Sequence, residues 1–473
     1  MPVQVSDMKM YKSSIITDTD INGSVMGTQE VLSGQRHNLF PRVTQTERTT
    51  GITRYRKEFL KNNNVDNDIA YDALIYLESK SNAGDHFAVA SGTDTDTQLD
   101  VTTSDRIWVG CGSVATTLSG GETSIDILME STDYAAPNGS LLHISSKYKV
   151  GVTVGPNVFP GDAVHYSGTQ WDLTSPTGDY VYPNGVYLGD QVVFTIHSGT
   201  KEEWVQIAEN RVVDEIIGTG DGTATMVSLT ALDEIDNGVC AQEGKLPVIS
   251  TTIGGTTQYV YIDASGNCSG YCSAGKLNMS DGTWDTPITW NAAPDNSANI
   301  LATYCDLCYY YTGNVLTIDL DSTIANAYTA NEAFASPCVY GGDIVYSVSD
   351  YQVVTGATLT YDDTTYPVIG SNKGTVAETY TLTFSSATAF NCTGTTSGAV
   401  GSGTVFSDFE VSDTQGNLMF RVRAAGWGGT GQAGDTFVFT THPATFPHWV
   451  REVVPANTPP TPTNQVLLGW YAE

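Results

Sequence analysis

GDQVVFTIHSGTKEEWV (189–205) and GDTFVFTTHPATFPHWV (434–450) are two versions of one phrase. Each opens on Gly-Asp, passes through Val-Phe-Thr to a histidine, and closes on Trp-Val. They align without a gap, pairing Gly189 with Gly434, Asp190 with Asp435, His197 with His442 and Trp204 with Trp449. Gly-Asp suits a turn, the alternating run suits a half-buried strand, and the tryptophan suits a core closed on the next strand. Two related β-domains on one chain are the simplest account.

The same grammar runs through the rest of the chain. DQVVFTIHS (190–198), TQYVYIDAS (257–265), ETYTLTFSS (378–386) and DTFVFTTHP (435–443) are short apolar or alternating runs bounded by turn formers. NG recurs at 22–23, 138–139, 184–185 and 237–238, and DG at 221–222 and 281–282. The 47 glycines and 25 tyrosines suit turns and strands better than helices. Helical periodicity is scarce; VVDEIIG (212–218) and TIANAYTANEAFA (323–335) are the best short candidates. The expected fold is all-β: several antiparallel β-sandwich (Ig-like) domains with few short helices. The 473 residues divide into 1–105, 106–210 ending in the first repeat copy, 211–316 holding paired cysteines, and 317–473 holding the second copy. VLLGWY, after a Pro/Thr-rich stretch at 455–465, reads as a last strand.

Charge narrows the function. There are 21 Lys+Arg against 52 Asp+Glu, a formal net charge of −31. Such a balance argues against nucleic acid and anionic membranes as partners. Residues 1–65 nevertheless carry nine basic and six acidic residues, net +3, whereas the remainder carries −34. Arg42, Arg48, Arg54, Arg56 and Lys57 are the expected interface residues, docking on acidic neighbours in a homo-oligomer. The same residues equally suit a solvated face. Trp427, Trp449 and Trp470-Tyr471 are candidates for either interface or core. The N-terminal run has no apolar leader, and no apolar run is long enough for a membrane span, so synthesis in a cytoplasm is expected.

Two constellations suggest metals. Asp18, Asp20, Asn22 and Gly23 form DxDxNG, the opening of a calcium loop, but Gln29 stands where the closing carboxylate belongs and Glu30 falls one residue late. A polar turn is the competing reading. Cys268-x3-Cys272 and Cys305-x2-Cys308 could supply four thiolates to a structural Zn²⁺, form disulfides, or remain buried thiols. Cys111, Cys240, Cys338 and Cys392 stand outside these pairs. No resident cofactor is otherwise implied. No HExxH, GxSxG or phosphate-loop signature occurs, and paired carboxylates carry no weight in so acidic a chain, so an enzyme is not expected.

GTQEVLSGQRHNLFPRVTQTERTTGITRYRKEFLKNNN with DHFAVASGTDTDTQ after it, and ETYTLTFSSATAFNCTG with AAGWGGTGQAGDTFVFTTHPATFPHWVREVVPA, resemble virion structural proteins of tailed bacteriophages and Mu-like prophages. The middle stretch, IIGTGDGTATMVSL to GTWDTPITWNAAPDNSANILATY, resembles a small β-domain of phage tail, baseplate and neck proteins. The resemblance implies a β-rich homo-oligomeric component of the neck, collar, tail or baseplate, resident in the virion and docked on other phage structural proteins. It carries over no catalytic residue. The alternative, from a different class, is a surface adhesin or receptor-binding module for a host glycan, which requires an exposed aromatic groove.

Overall fold

ITRYRKEFLKN (Ile52–Asn62) intersperses charges with apolar residues, and the strand it forms lies at the centre of the molecule. The computed structural model describes residues 2–32, 37–81, 83–104, 106–154, 194–209, 211–232, 246–263, 265–279, 282–305, 308–460 and 466–473. Among them every strand pairing is antiparallel, and the helices are short: Gln45–Thr50, Gln98–Thr103 and the 3₁₀ turn Ala424–Gly426. The chain is all-β, built of several antiparallel sheets. Gln45–Thr50 forms because Thr44 caps it: the Glu47 N–H donates to Thr44 Oγ1 (3.3 Å) and the Glu47 carboxylate accepts from the Thr44 N–H (2.6 Å).

Three sheets stack. The middle one runs Gly23–Glu30, Met8–Ile15, Ile52–Asn62, Thr445–Val454, His86–Ser91, Val109–Gly110. One face shares a core with a seven-stranded sheet that includes Leu141–Val154, Ser124–Leu128 and Val315–Asp319. The other face shares a core with the three strands Val339–Ile344, Ala70–Ser79 and Leu467–Tyr471. The period-two alternation of a strand sorts side chains between these cores. On His86–Ser91, Ala88 and Ala90 enter the first and Phe87 and Val89 the second. On Thr445–Val454, Trp449 enters the first and Phe446 and Val450 the second. The boundaries 105/106 and 316/317 both run through this stack, because partner strands within one sheet lie far apart in the chain.

Two further cores are local. One draws only on residues between 212 and 304, joining a five-stranded sheet to the hairpin Cys272–Leu277/Trp284–Trp290. The other draws on residues between 348 and 439, where the sheet Ser347–Val354, Thr436–His442, Glu378–Phe384, Ala389–Gly394, Gly398–Thr404 closes over aromatic residues including Tyr380, Phe420 and Phe439. Neither helix candidate is helical. Residues 211–219 form the strand Arg211–Thr219, whose ladder to Asn299–Cys305 overrides a weak local preference, and of 323–335 the end enters the strand Ala333–Pro337.

The repeated phrase has two outcomes. In the second copy, Gly434 takes φ +95° and the Asp435 carboxylate accepts from Thr355 Oγ1 (2.7 Å), the Gly356 N–H (2.8 Å) and the Gln432 N–H (3.0 Å), fixing the turn. Thr436–His442 follows, Pro443 ends it, and Trp449 is fully buried on the next strand. In the first copy Gly189 and Asp190 lie outside the described residues. His197 and Trp204 share one long strand, Phe194–Gln206, because Ser198 stands where the second copy has proline. Trp204 is half-buried against Tyr76 and His143. The two copies therefore do not make equivalent units.

Burial on both faces forces the central charges to find partners. Lys57, 1% exposed, places Nζ 2.7 Å from Asp96 Oδ1, and it donates to the Ser24 carbonyl (2.7 Å) and the Asp96 carbonyl (3.0 Å). Asp96 also accepts from Arg106 Nη2 (2.7 Å) and Trp449 Nε1 (3.0 Å). Burial pushes the Lys57 ammonium below its ordinary value, and Asp96 opposes that. Replacing Asp96 by Asn leaves Lys57 uncompensated in the core, so Asp96→Asn should lower unfolding free energy by about 3 kcal/mol. Glu30→Gln, at the solvent-exposed Lys9–Glu30 pair (3.2 Å), should cost less than about 1 kcal/mol. Urea titration of the two variants compares them directly, and equal losses would contradict the buried network.

Candidate functional site

Five basic residues were expected at an interface, and the structure withdraws three of them from any surface. Arg54, Arg56 and Lys57 are 2%, 5% and 1% exposed. Their strand has neighbours on both faces, so alternation delivers each charge to an interior. Arg54 bridges Glu47 (2.5 Å) and Glu452 (3.3 Å) and donates to the Pro41 carbonyl (3.0 Å). Arg56 holds Asp18 (2.7 Å) and the Thr17 carbonyl (3.0 Å). Glu58 faces His448 across the same strand pair at 3.5 Å, both fully buried. Arg42 is exposed, and Arg48 is half-buried with Nη1 on the Val43 carbonyl (2.8 Å). Of the tryptophans, Trp449 is core, while Trp427 and Trp470 are half-buried.

The DxDxNG segment is an anchor between Met8–Ile15 and Gly23–Glu30. Asp18 is engaged by Arg56, and Asp20 is exposed. Asn22 is fully buried: its Oδ1 accepts from the Thr17 N–H (3.1 Å) and its Nδ2 donates to the Tyr55 carbonyl (2.9 Å) and Gln98 Oε1 (3.1 Å). The three therefore do not converge on one cation. Gly23, at φ +104°, lets the turn meet the Trp449 ring, where a Cβ would lie 2.6 Å from it. The cysteine pairs also separate. Cys268 and Cys272 pack on the core of residues 212–304, whereas Cys308 lies in the core beneath the seven-stranded sheet, with Sγ donating to the Ala136 carbonyl (3.3 Å). Cys305 is buried at the end of Asn299–Cys305. Burial pushes the Cys268 thiol up to about 12, with Cys272 adding to the shift. Cys111, Cys338 and Cys392 are buried, and Cys240 lies outside the described residues. Among the described residues no three His, Cys, Asp or Glu side chains come together to hold a metal.

Asp94, Ser349 and His442, from three parts of the chain, do meet. Ser349 Oγ lies 2.9 Å from His442 Nε2, and His442 Nδ1 lies 3.4 Å from Asp94 Oδ2. That is the order of nucleophile, base and orienting carboxylate. Counting protons argues for another role. Ser349 Oγ also lies 2.8 Å from Asp350 Oδ2, which as a carboxylate only accepts, so the single hydroxyl proton points there. With that proton committed to Asp350, the Ser349 oxygen is left to accept from the ring at Nε2. A serine oxygen that accepts from the ring is not an activated nucleophile. The cluster ties the loop after His86–Ser91 to the C-terminal sandwich.

An outward-facing apolar row crosses the five-stranded sheet Arg211–Thr219, Asn299–Cys305, Val248–Ile253, Thr256–Ile262, Cys268–Gly270. Ile216 pairs with Leu301, Leu301 with Ser250, and Ser250 with Tyr259. Their chain neighbours Ile217, Ile300, Ile249 and Val260 point into the core, so this row faces out. Ile216, Tyr259 and Tyr261 are each about half exposed or more. The two tyrosine rings stack at 6.3 Å and 21°. Among the described residues Arg211–Thr219 is also an end strand, and it exposes Val213. TQYVYIDAS marks this strand in the sequence; apolar residues at successive positions conceal which face is outer.

Comparison with family models, with curated proteins and with solved structures finds no match. No helix among the described residues is long and apolar enough to cross a membrane.

Two outcomes follow. Glu452 is pushed up to about 7 by burial, against the opposing Arg54 charge, which Glu47 shares. A carboxyl raised on folding supports the fold fully below its unfolded value of 4.5 and loses that support as pH rises through about 7. Wild-type stability should therefore fall over that window by about 3 kcal/mol, and Glu452→Gln should flatten the fall; urea midpoints against pH show it. A fluorophosphonate serine probe should leave Ser349 unmodified at neutral pH. Labelling that disappears in Ser349→Ala would make Ser349 a nucleophile after all.

Proposed function

We propose that this chain is an architectural component of a tailed-phage particle, in the neck, collar, tail or baseplate, which docks on copies of itself and on other particle proteins. It works through surface shape and burial, with no chemical step. The observation that carries the self-docking is the Ile216–Leu301–Ser250–Tyr259 row beside Arg211–Thr219, an end strand of its sheet among the described residues. An aliphatic and aromatic stripe on an outer sheet face suits burial against a second copy, and the end strand Arg211–Thr219 offers backbone groups to a strand of that copy. The place in a phage particle is supported by the resemblance of the N-terminal, middle and C-terminal stretches to virion proteins. Arg54, Arg56 and Lys57 serve the interior, and only Arg42 and Arg48 of the basic cluster reach the surface, so assembly falls to this apolar surface.

Light scattering of the full chain tests the reading. Wild type should form closed oligomers, and the double variant Ile216→Asp/Tyr259→Asp should shift to monomer with an unchanged unfolding midpoint, since both side chains are exposed. A wild type that stays monomeric at every concentration, or oligomers untouched by the double variant, would sink it.

A further inference from the structure

A cleft of about 520 Å³ opens where the end strand Tyr309–Thr312 of the seven-stranded sheet meets the segment 131–135. Thr132, Asp133, Tyr134 and Tyr309–Tyr311 line it. We propose that this cleft is a binding site for a neutral saccharide. The inference is independent of the assembly reading and concerns a different surface.

The walls are aromatic and held in place. Tyr309 and Tyr311 pack on the core beneath, and the Tyr311 hydroxyl donates to the Tyr134 carbonyl (2.9 Å), fastening the segment to the strand. Tyr310, the next residue on the opposite side of the strand, is 59% exposed. One polar group is fixed among these rings. The Asp133 carboxylate accepts from Arg451 Nη2 (2.7 Å) and is bonded by the Ser131 hydroxyl, yet its side chain remains half-exposed. Arg451 is itself immobilised: its guanidinium lies over the Trp108 ring at 4.7 Å and the Tyr134 ring at 5.6 Å, and it belongs to the central strand Thr445–Val454. The acceptor in the cleft is thus preorganised from the middle of the molecule.

This combination selects a ligand class. A sugar ring presents C–H groups that pack on aromatic side chains and hydroxyls that donate to a carboxylate, and concave sites of this size with few convergent polar groups are typical of small-ligand binding. Arg451 compensates the Asp133 charge, so the site is a hydrogen-bond acceptor more than a trap for cations. The excess of −34 over residues 66–473 disfavours anionic ligands. The outer row at Tyr259 differs in kind: it crosses an open sheet face and carries aliphatic Ile216 and Leu301, as a protein contact would.

The test is a printed array of neutral and acidic oligosaccharides probed with the full chain, followed by calorimetry of the strongest neutral hit. Neutral oligosaccharides should be retained. Tyr310→Ala and Asp133→Asn should each weaken the calorimetric affinity about tenfold, whereas Tyr259→Ala should leave it unchanged. Tyr310 is exposed, so an unchanged unfolding midpoint in Tyr310→Ala separates lost binding from lost folding. A silent array, retention of acidic glycans alone, or equal affinity in wild type and both cleft variants would overturn the proposal. Each result can be read whether the chain is monomeric or assembled.

Discussion

A charge buried between two cores must be met by an opposite charge or by hydrogen bonds, and the centre of this molecule is arranged around that demand. Lys57 lies between the Trp449 ring and the Asp96 carboxylate, and Asp96 is shared with Arg106 and the tryptophan N–H. On the opposite face Arg54 is shared by Glu47 and Glu452. Removing one member strands the others in a medium that solvates them poorly, so such a network resists piecemeal change. Its parts come from the N-terminal turn, the first helix, the loop at 92–97 and a strand near the C-terminus. The network therefore closes the chain on itself while the apolar faces supply the bulk of the stabilisation.

That closure shapes what the periphery can do. Residues 212–304 and 348–439 each build a core of their own, and both extend from a stack that neither completes. The buried ammonium of Lys61 donates to the Lys373 carbonyl (2.9 Å), and Asp94, His442 and Ser349 make a second tie between the stack and the C-terminal sandwich. The outer sheet face and the tyrosine cleft lie away from these ties, on the five-stranded and seven-stranded sheets. Arg451 connects the two regimes: its backbone belongs to the central sheet and its guanidinium orients Asp133 at the cleft.

Sequence reasoning read the strands well where alternation was clean. Glu378–Phe384 and Thr436–His442 fall inside runs identified from period and turn residues alone, and Thr256–Ile262 begins one residue before its run. It failed where the deciding neighbour was distant. VVDEIIG carries a helix-like spacing, yet the ladder from Arg211–Thr219 to Asn299–Cys305 holds it extended. The matched phrases at 189 and 434 share nine identical positions, yet proline at 443 against serine at 198 sends one into a hairpin and lets the other continue. The basic cluster of residues 42–57 looked like a docking face because nothing local in it reveals that Thr445–Val454 lies alongside.

By itself the sequence determined the all-β character, because a two-residue period and turn-forming glycines act within a few residues of one another. It also determined the acidic exterior, since so large an excess of carboxylates has to be mostly solvated. Only the tertiary structure decided which charges are interior, which tyrosines stand free on an outer face, and which carboxylate is fixed within a cleft. Those outcomes depend on strand partners hundreds of residues apart, and a strand's alternation names two faces without saying what will cover either.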